Sequence, residues 1–296
     1  MTKRKSIFKR KKFTLMDWIL FIILTLLMLC ILVPFLNVIA ISFTSYKEYM
    51  QSGWVIWPKM PTLAAYEELF KDSRIFIGYK TTLMYILIGV PMNLLLSTTM
   101  AYCLCRKGWP GRRLVLLMVL FTMIFNGGIV PLYLIMKSLH LTNTIWAIIL
   151  AQGMNTFNMI LIYNYFNSLP EVLIESASLD GASEWTILSR IVLPLAKPIL
   201  ATVVLFVAVQ LWNEYFMSMI FLRSNNWQSL QQILRSIVMD SQVVDTASAM
   251  VDTGEKNFTD AIKMAAVIVT MLPVMCVYPF LQKYFAKGIM IGAVKA

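Results

Sequence analysis

The sequence predicts an all-α integral membrane protein with six transmembrane helices and both termini in the cytosol, and three observations carry that prediction. Of its 296 residues 59% are hydrophobic and only 14% are charged. The mean hydropathy is +0.71. A soluble domain usually carries about a quarter charged residues, so lipid is the natural solvent for the excess apolar surface. Several apolar runs approach or exceed the roughly 20 residues that a helix needs to cross a bilayer. The basic residues, finally, are distributed unevenly between the segments that flank those runs.

The chain begins with a basic arm, residues 1–15, holding Lys3, Arg4, Lys5, Lys9, Arg10, Lys11 and Lys12. This arm accounts for much of the net charge of +11. It adjoins an apolar run, so the positive-inside rule and anionic lipid head groups explain it. No aromatic–basic module accompanies it, which argues against nucleic acid as a partner. The first span, 18–41, is too long for the apolar core of a signal peptide and lacks a clear cleavage site, so it is expected to remain as a helix.

The second span covers 75–105, where Gly89 and Pro91 suggest a kink. A tight basic loop follows, containing Arg106, Lys107, Arg112 and Arg113. The third span, 114–136, is interrupted by Asn126, Gly127, Gly128 and Pro131. The fourth, 144–166, is punctuated by Gln152, Gly153, Asn155, Asn158 and Asn164. The fifth is expected at 195–222, then a polar segment over 223–260, the sixth span at 261–285, and a cytosolic tail, 286–296. Placing both termini inside puts most Lys and Arg on the cytosolic side. In the outer segment, residues 227–234 are expected to form a short amphipathic helix at the surface. Cys30, Cys103, Cys105 and Cys276 lie in apolar runs without metal-ligand spacing, and the single His140 carries no pattern.

Residues 168–194 are the most informative. Ser168, Leu169, Pro170 and Glu171 have the spacing of a capping box with proline in the first turn. A short helix to about Leu179 is expected to end at Asp180 and Gly181, where a left-handed residue is wanted. A second helix then sets Trp185, Leu188, Ile191 and Val192 on one side, and Pro194 is expected to end it. Ser176, Ala177 and Ser178 leave one side of the first helix smooth enough to enter a groove on a partner. The same composition also fits an amphipathic linker lying on head groups.

Glu175-Ser176-Ala177, Asp180-Gly181-Ala182 and Ile191-Val192-Leu193-Pro194 resemble the coupling-loop motif of ABC importer permeases: Glu-Ala-Ala, a glycine, and a later Ile-x-Leu-Pro. Ser176 departs from the usual alanine but stays small. The end of the chain, 278–295, is similar to the tail of carbohydrate-type permeases, especially the second permease of maltose-type and oligosaccharide systems. Residues 125–131 and 211–216 look like the polysaccharide subgroup of that family.

The resemblance implies a permease domain over 16–296 that works by alternating access. Its partners would be a homologous second permease, two cytosolic ATPases, an extracellular solute-binding protein, a carbohydrate and the bilayer of a bacterial cell. Glu175, Ser176, Ala177, Asp180, Gly181, Ala182, Leu193 and Pro194 would engage one ATPase. Gly292, Ala293 and Lys295 would touch the ATPase dimer. No cofactor is expected in this chain, ATP and magnesium belonging to the ATPases, and no phosphate-loop pattern is present. The chain is therefore expected not to be an enzyme.

Polar groups within the spans are candidates for the substrate path because their burial in lipid is costly. Glu214, with Trp212, Asn213 and Tyr215, offers aromatic faces for sugar rings and an amide for hydroxyls. The same cluster equally suits interhelical hydrogen bonding or an outer helix end. Asn126, Asn155 and Asn158 are further candidates for the lining. Two alternatives stay open from the sequence: a permease for a non-sugar solute, and an ion-coupled carrier built around the intramembrane carboxylate.

Overall fold

A computed structural model describes residues 14–52, 54–106, 108–223, 225–248 and 259–293, all its regular elements being helical. The chain divides into two units, residues 1–69 with 248–268 and residues 70–247 with 269–296.

In the first unit, α1 (Leu15–Ser42) starts at a reciprocal cap. The Thr14 hydroxyl accepts from the Asp17 N–H at 3.4 Å, and the Asp17 carboxylate accepts from the Thr14 N–H at 2.8 Å. Its 28 residues reach about 42 Å at 1.5 Å each, beyond the hydrocarbon core. α1 is apolar all round and buries only Ala40, Ile41 and Ser42 at its end. The short helices α2 (Tyr46–Ser52) and α3 (Ala64–Lys71) follow. The loop between them is tied back to α1 by Asn37, which donates to the Val55 carbonyl at 2.7 Å, and α3 by Ser42, 2.9 Å from the Tyr66 hydroxyl.

The second unit is built on α4 (Ser73–Cys105). The Asp72 carboxylate caps it, accepting from the Arg74 N–H at 2.9 Å. Gly78, Thr82, Tyr85, Gly89, Asn93, Ser97 and Ala101 succeed one another at three- and four-residue steps on its buried face. Small residues let backbones approach, which is how helices associate where lipid removes the hydrophobic drive.

Three broken segments pack around it. α5 (Arg112–Ile124) meets α6 (Ile129–Ser138) at 112°. α7 (Ile145–Ala151) meets α8 (Thr156–Asn167) at 47°. Beyond α9 (Glu171–Leu179) come α10 (Glu184–Ile187), a π-helical turn (Leu188–Val192) and α11 (Leu193–Leu195). This stretch meets α12 (Lys197–Trp212) at 81°. α13 (Phe216–Phe221) follows a three-residue break, and α14 (Leu230–Ser248) and α15 (Thr259–Ala293) complete the chain. α4 packs chiefly on α8 and α12. Tyr85, Leu104, Ile148, Met159, Ile162, Ile187, Leu211 and Phe221 are fully buried among them.

Three helical stretches among the described residues are long and apolar enough to cross a membrane: α1, α4 and Thr259–Pro279. The number rises to six if each bent pair counts as one span. The third, fourth and fifth predicted spans are therefore not single straight helices. The interruption read at Asn126–Gly128 is a sharp reversal, and the run read as 195–222 breaks at 213–215.

The segment 223–260, expected to be polar connection, contains the 19-residue α14. The short surface helix expected at 227–234 starts instead at Leu230, and Leu230 and Ile233 are buried. They seat against Gly78, with the Leu230 N–H on the Thr82 hydroxyl at 2.9 Å. The Gln and Ser positions that suggested a wet surface are used inward: Gln232 accepts from the Ser218 hydroxyl at 2.7 Å.

A Cβ at Gly78 would stand 2.9 Å from the Leu230 Cα and 2.8 Å from the Ile233 Cδ1. Gly78→Ala should therefore push α14 off α4 and destabilise the protein by about 1–3 kcal/mol. Thermal unfolding in detergent checks this, with Gly108→Ala, whose Cβ meets nothing within 4 Å, as the silent control.

Candidate coupling segment and buried polar cluster

The first helix of the coupling segment is α9, and its start differs from expectation. Ser168 forms no capping box. It is the C-cap of α8, and its hydroxyl donates back to the Tyr165 carbonyl at 2.7 Å. The carbonyls that end α8 claim the hydroxyl before α9 begins, and Pro170 stands at the N-cap of α9 with no side-chain cap.

The end of α9 is as the sequence predicts. Gly181 has φ of +80°, the left-handed conformation that glycine adopts without strain. Its N–H donates to the Ser178 carbonyl at 3.1 Å, and the Ala182 N–H donates to the Ala177 carbonyl at 3.0 Å. Together these two bonds make a Schellman cap, which satisfies carbonyls that would otherwise be orphaned. Glu175, Ser176, Asp180 and Gly181 are exposed, Ala177 and Ala182 half-buried. A Cβ at Gly181 would meet nothing within 4 Å.

Beyond the turn, Ser183 caps α10 by accepting from the Thr186 N–H at 3.3 Å. Ile187, Leu188 and Val192 are buried and Ile191 half-buried, whereas Trp185, expected on the same side, is 67% exposed. The π-helical turn rotates the face away from the spacing of a regular α-helix. Pro194 does not end the helix as expected; α11 continues to Leu195, and the bend falls at Ala196. The widened turn, in which the Leu193 N–H reaches the Leu188 carbonyl, makes room for a ring that would clash in a regular helix. Leu193 is half-buried and Pro194 exposed.

Sequence reasoning missed Glu184. It lies in the coupling segment, outside the apolar runs, and its carboxylate accepts from the Tyr102 hydroxyl and from the Arg106 guanidinium at the end of α4. Burial opposes its ionisation, but those two donors outweigh burial and hold the Glu184 carboxyl below its ordinary value. A lone Glu at the start of a short helix gives no sign of such a partner 78 residues away.

The polar cluster forms around Glu214, which is only 9% exposed. One carboxylate oxygen accepts from the Met217 N–H at 2.6 Å, at the start of α13, and the other from the Gln152 amide. Gln152 in turn accepts from the Gln210 amide at 3.0 Å, and its backbone carbonyl accepts from Asn93 at 3.2 Å. Ser97 donates to Asn93 at 3.3 Å. This network joins α4, the α7–α8 break and the α12–α13 break. Asn93, Gln152 and Gln210 did not stand out as candidates, because single amides in apolar runs carry no partner information.

The four residues read together at 212–215 separate. Trp212 is buried, donating to the Thr270 carbonyl at 3.3 Å and meeting the Tyr79 ring edge-on at 6.1 Å. Asn213 is exposed and donates to the Val209 carbonyl at 2.9 Å. Tyr215 lies under the Arg235 guanidinium, 4.6 Å from its ring centroid. Asn126 is exposed and accepts from the Gly128 N–H at 2.9 Å. Asn155 caps α8, accepting from the Phe157 N–H at 2.9 Å, and Asn158 is buried. The structure thus brings Glu214 to Gln152 without gathering all seven path candidates. Gly292 and Ala293 fall in the last turn of α15, while Lys295 and most of the basic arm lie outside the described residues. No three His, Cys, Asp or Glu among the described residues are placed to hold a metal ion.

Three similarities bear on this arrangement. The chain is 40% identical to Protein LplC of Bacillus subtilis (strain 168) over 266 residues, covering 89% of each chain. It is 37% identical to the polygalacturonan/rhamnogalacturonan transport system permease protein YtcP of the same strain, covering 95% of this chain and 98% of that one. A crystal structure of a bacterial ABC transporter involved in the import of the acidic polysaccharide alginate matches with a TM-score of 0.83 and 32% identity, over 93% of this chain and 99% of that one. The sequence profile of binding-protein-dependent transport system inner membrane components matches residues 81–291, which contain the whole coupling segment and polar cluster, so the chain belongs to that family.

Proposed function

We propose that this chain is one permease subunit of an ATP-binding-cassette importer and forms half of the path by which an oligosaccharide enters a bacterial cell. The observation that carries the mechanism is the build of residues 171–195. An exposed helix closed by a Schellman cap stands on a second helix whose Ile187, Leu188 and Val192 are rooted in the core. Such a part can receive a push from a soluble partner and pass it inward. The substrate class is supported by the relatives, a polygalacturonan/rhamnogalacturonan permease and a transporter involved in alginate import.

In this reading the chain crosses the inner membrane six times, α5 with α6, α7 with α8, and α12 with α13 each making one crossing. Both termini lie in the cytosol, an orientation supported by the basic arm and by Arg106, Arg112 and Arg113. A homologous permease completes the path, a solute-binding protein delivers the saccharide, and two ATPase subunits hold ATP and magnesium. Glu175, Ser176, Ala177, Asp180, Gly181 and Ala182 form the face that seats in one ATPase, with Leu193 and Pro194 behind it and Gly292, Ala293 and Lys295 as a second contact. The domain extends over 16–296, and Asn126, Asn155, Asn158, Asn213, Glu214 and Tyr215, with Trp212 behind them, border the path. The ion-coupled alternative is not favoured, since the family is binding-protein-dependent and both Glu214 oxygens already accept hydrogen bonds.

Mild-detergent purification of the tagged chain from its native membrane should recover a second permease and an ATPase pair. The recovered complex should hydrolyse ATP faster with a binding protein and galacturonan or alginate oligosaccharides; recovery of the chain alone under verified gentle extraction would overturn the reading. Gly181→Val places a β-branched residue at positive φ, costing about 1–2 kcal/mol, and should uncouple hydrolysis from uptake, whereas Gly181→Asn should retain coupling. Glu214→Ala strips the acceptor from the Met217 N–H and the Gln152 amide, a loss of about 1–3 kcal/mol. Uptake in vesicles should fall about tenfold while the subunits still co-purify.

A further inference from the structure

α9 is loosely seated. None of its residues is buried, and only Ile174 and Ala177 are half-buried. A cavity of about 120 Å³ involves Tyr102, Cys105 and Arg106 of α4's end together with Ile174, and a second of about 450 Å³ runs from Arg106 to Glu175 and Leu179. Apolar packing alone gives α9 little purchase on α4. The second stretch is rooted in the core, but it continues into α12 through a bend of 81°, and a bend of that size can absorb rotation. Tyr165 restrains the bend from α8 by donating to the Leu195 carbonyl at 3.0 Å.

A polar bridge from the coupling turn to the end of α4 is made by Glu184, whose backbone carbonyl also lies 3.4 Å from the Tyr102 hydroxyl. Glu184, the first residue of α10, takes the Tyr102 hydroxyl on one carboxylate oxygen and the Arg106 guanidinium on the other. Arg106 also stands over the Tyr102 ring, 5.7 Å from its centroid, so the three groups close on one another. Tyr102 is only 7% exposed and anchors the clasp in the core. α4 is the helix on which α8 and α12 both pack, so any displacement that reopens the bundle must reach it.

We propose that Glu184 is the positioning residue that locks the coupling segment to the cytosolic end of α4, so that a push on α9 moves α4 together with α12. This proposal rests on the importer reading and adds a second route of transmission to the covalent one. The Glu184 side chain is 61% exposed, so the clasp contributes little to static stability. Its role lies in keeping two elements in register during motion.

The test uses the full complex in liposomes with its binding protein, a galacturonan or alginate oligosaccharide being the probe, and reads saccharide delivered per ATP hydrolysed. Glu184→Gln and Arg106→Gln should each lower that ratio about fivefold, with subunit assembly and thermal unfolding as in wild type. The double variant should fall no further than either single one, as for two members of one interaction. The exchange of Glu184→Arg with Arg106→Glu should restore most of the ratio, which a merely structural role would not produce. Wild-type ratios in both single variants, or additive losses without recovery on exchange, overturn the clasp and leave the importer reading standing. If the wild-type complex responds to neither saccharide, the importer reading fails and the clasp with it.

Discussion

Inside an apolar segment every backbone N–H and C=O must find its partner within the protein, because hydrocarbon offers none. This chain breaks its helices repeatedly within apolar runs, and each break is serviced by a polar side chain. At the 112° reversal Asn126 takes the Gly128 N–H. At the next break Asn155 takes the Phe157 N–H while Asn93 supplies the Gln152 carbonyl. Between α12 and α13, Glu214 takes the Met217 N–H. Polar residues that hydropathy marks as costly are therefore first of all the partners of interrupted backbone. The Glu214–Gln152 contact goes further by joining two breaks to each other, so that the irregular points of separate segments form one structure. A substrate path along them would inherit its polar lining from the same groups.

The segment proposed for coupling answers a different demand, since that role would require it to be stiff and yet offer its surface outward. The Schellman cap meets the first need locally: two backbone hydrogen bonds fix the direction in which the chain leaves α9, with no tertiary contact required. Burial of Ile187, Leu188 and Val192 meets the second by rooting the next helix, so that Glu175, Ser176 and Asp180 can remain exposed without freeing the segment. Glu184 sits where the two parts join. It holds the end of α4 by a charge-assisted contact with Arg106.

Much of this was legible in the sequence, and the legible part is local. The apolar runs gave α1, α4 and α15 because helix length and lipid thickness are matched by composition alone. Asp180-Gly181 gave the turn, because only a few residue types tolerate positive φ. Where two local signals competed, reading failed: Ser168 had the spacing of a cap for α9, but it is the residue that closes α8 and serves that helix. Pro194 likewise reads as a stop, yet a widened turn before it absorbs the ring.

The sequence by itself thus determined the solvent, the helical class, the short coupling turn and the family signature, since each follows from composition or from contacts within a few residues. Tertiary structure alone decided the rest. It placed α14 against Gly78, sent Trp212 inward and Asn213 outward, and linked Glu214 to Gln152 and Glu184 to Arg106. Those pairings span 62 and 78 residues, and a hydrogen bond has no sequence pattern at such separation. It is fixed only when packing brings the two helices within about 3 Å of a donor and an acceptor.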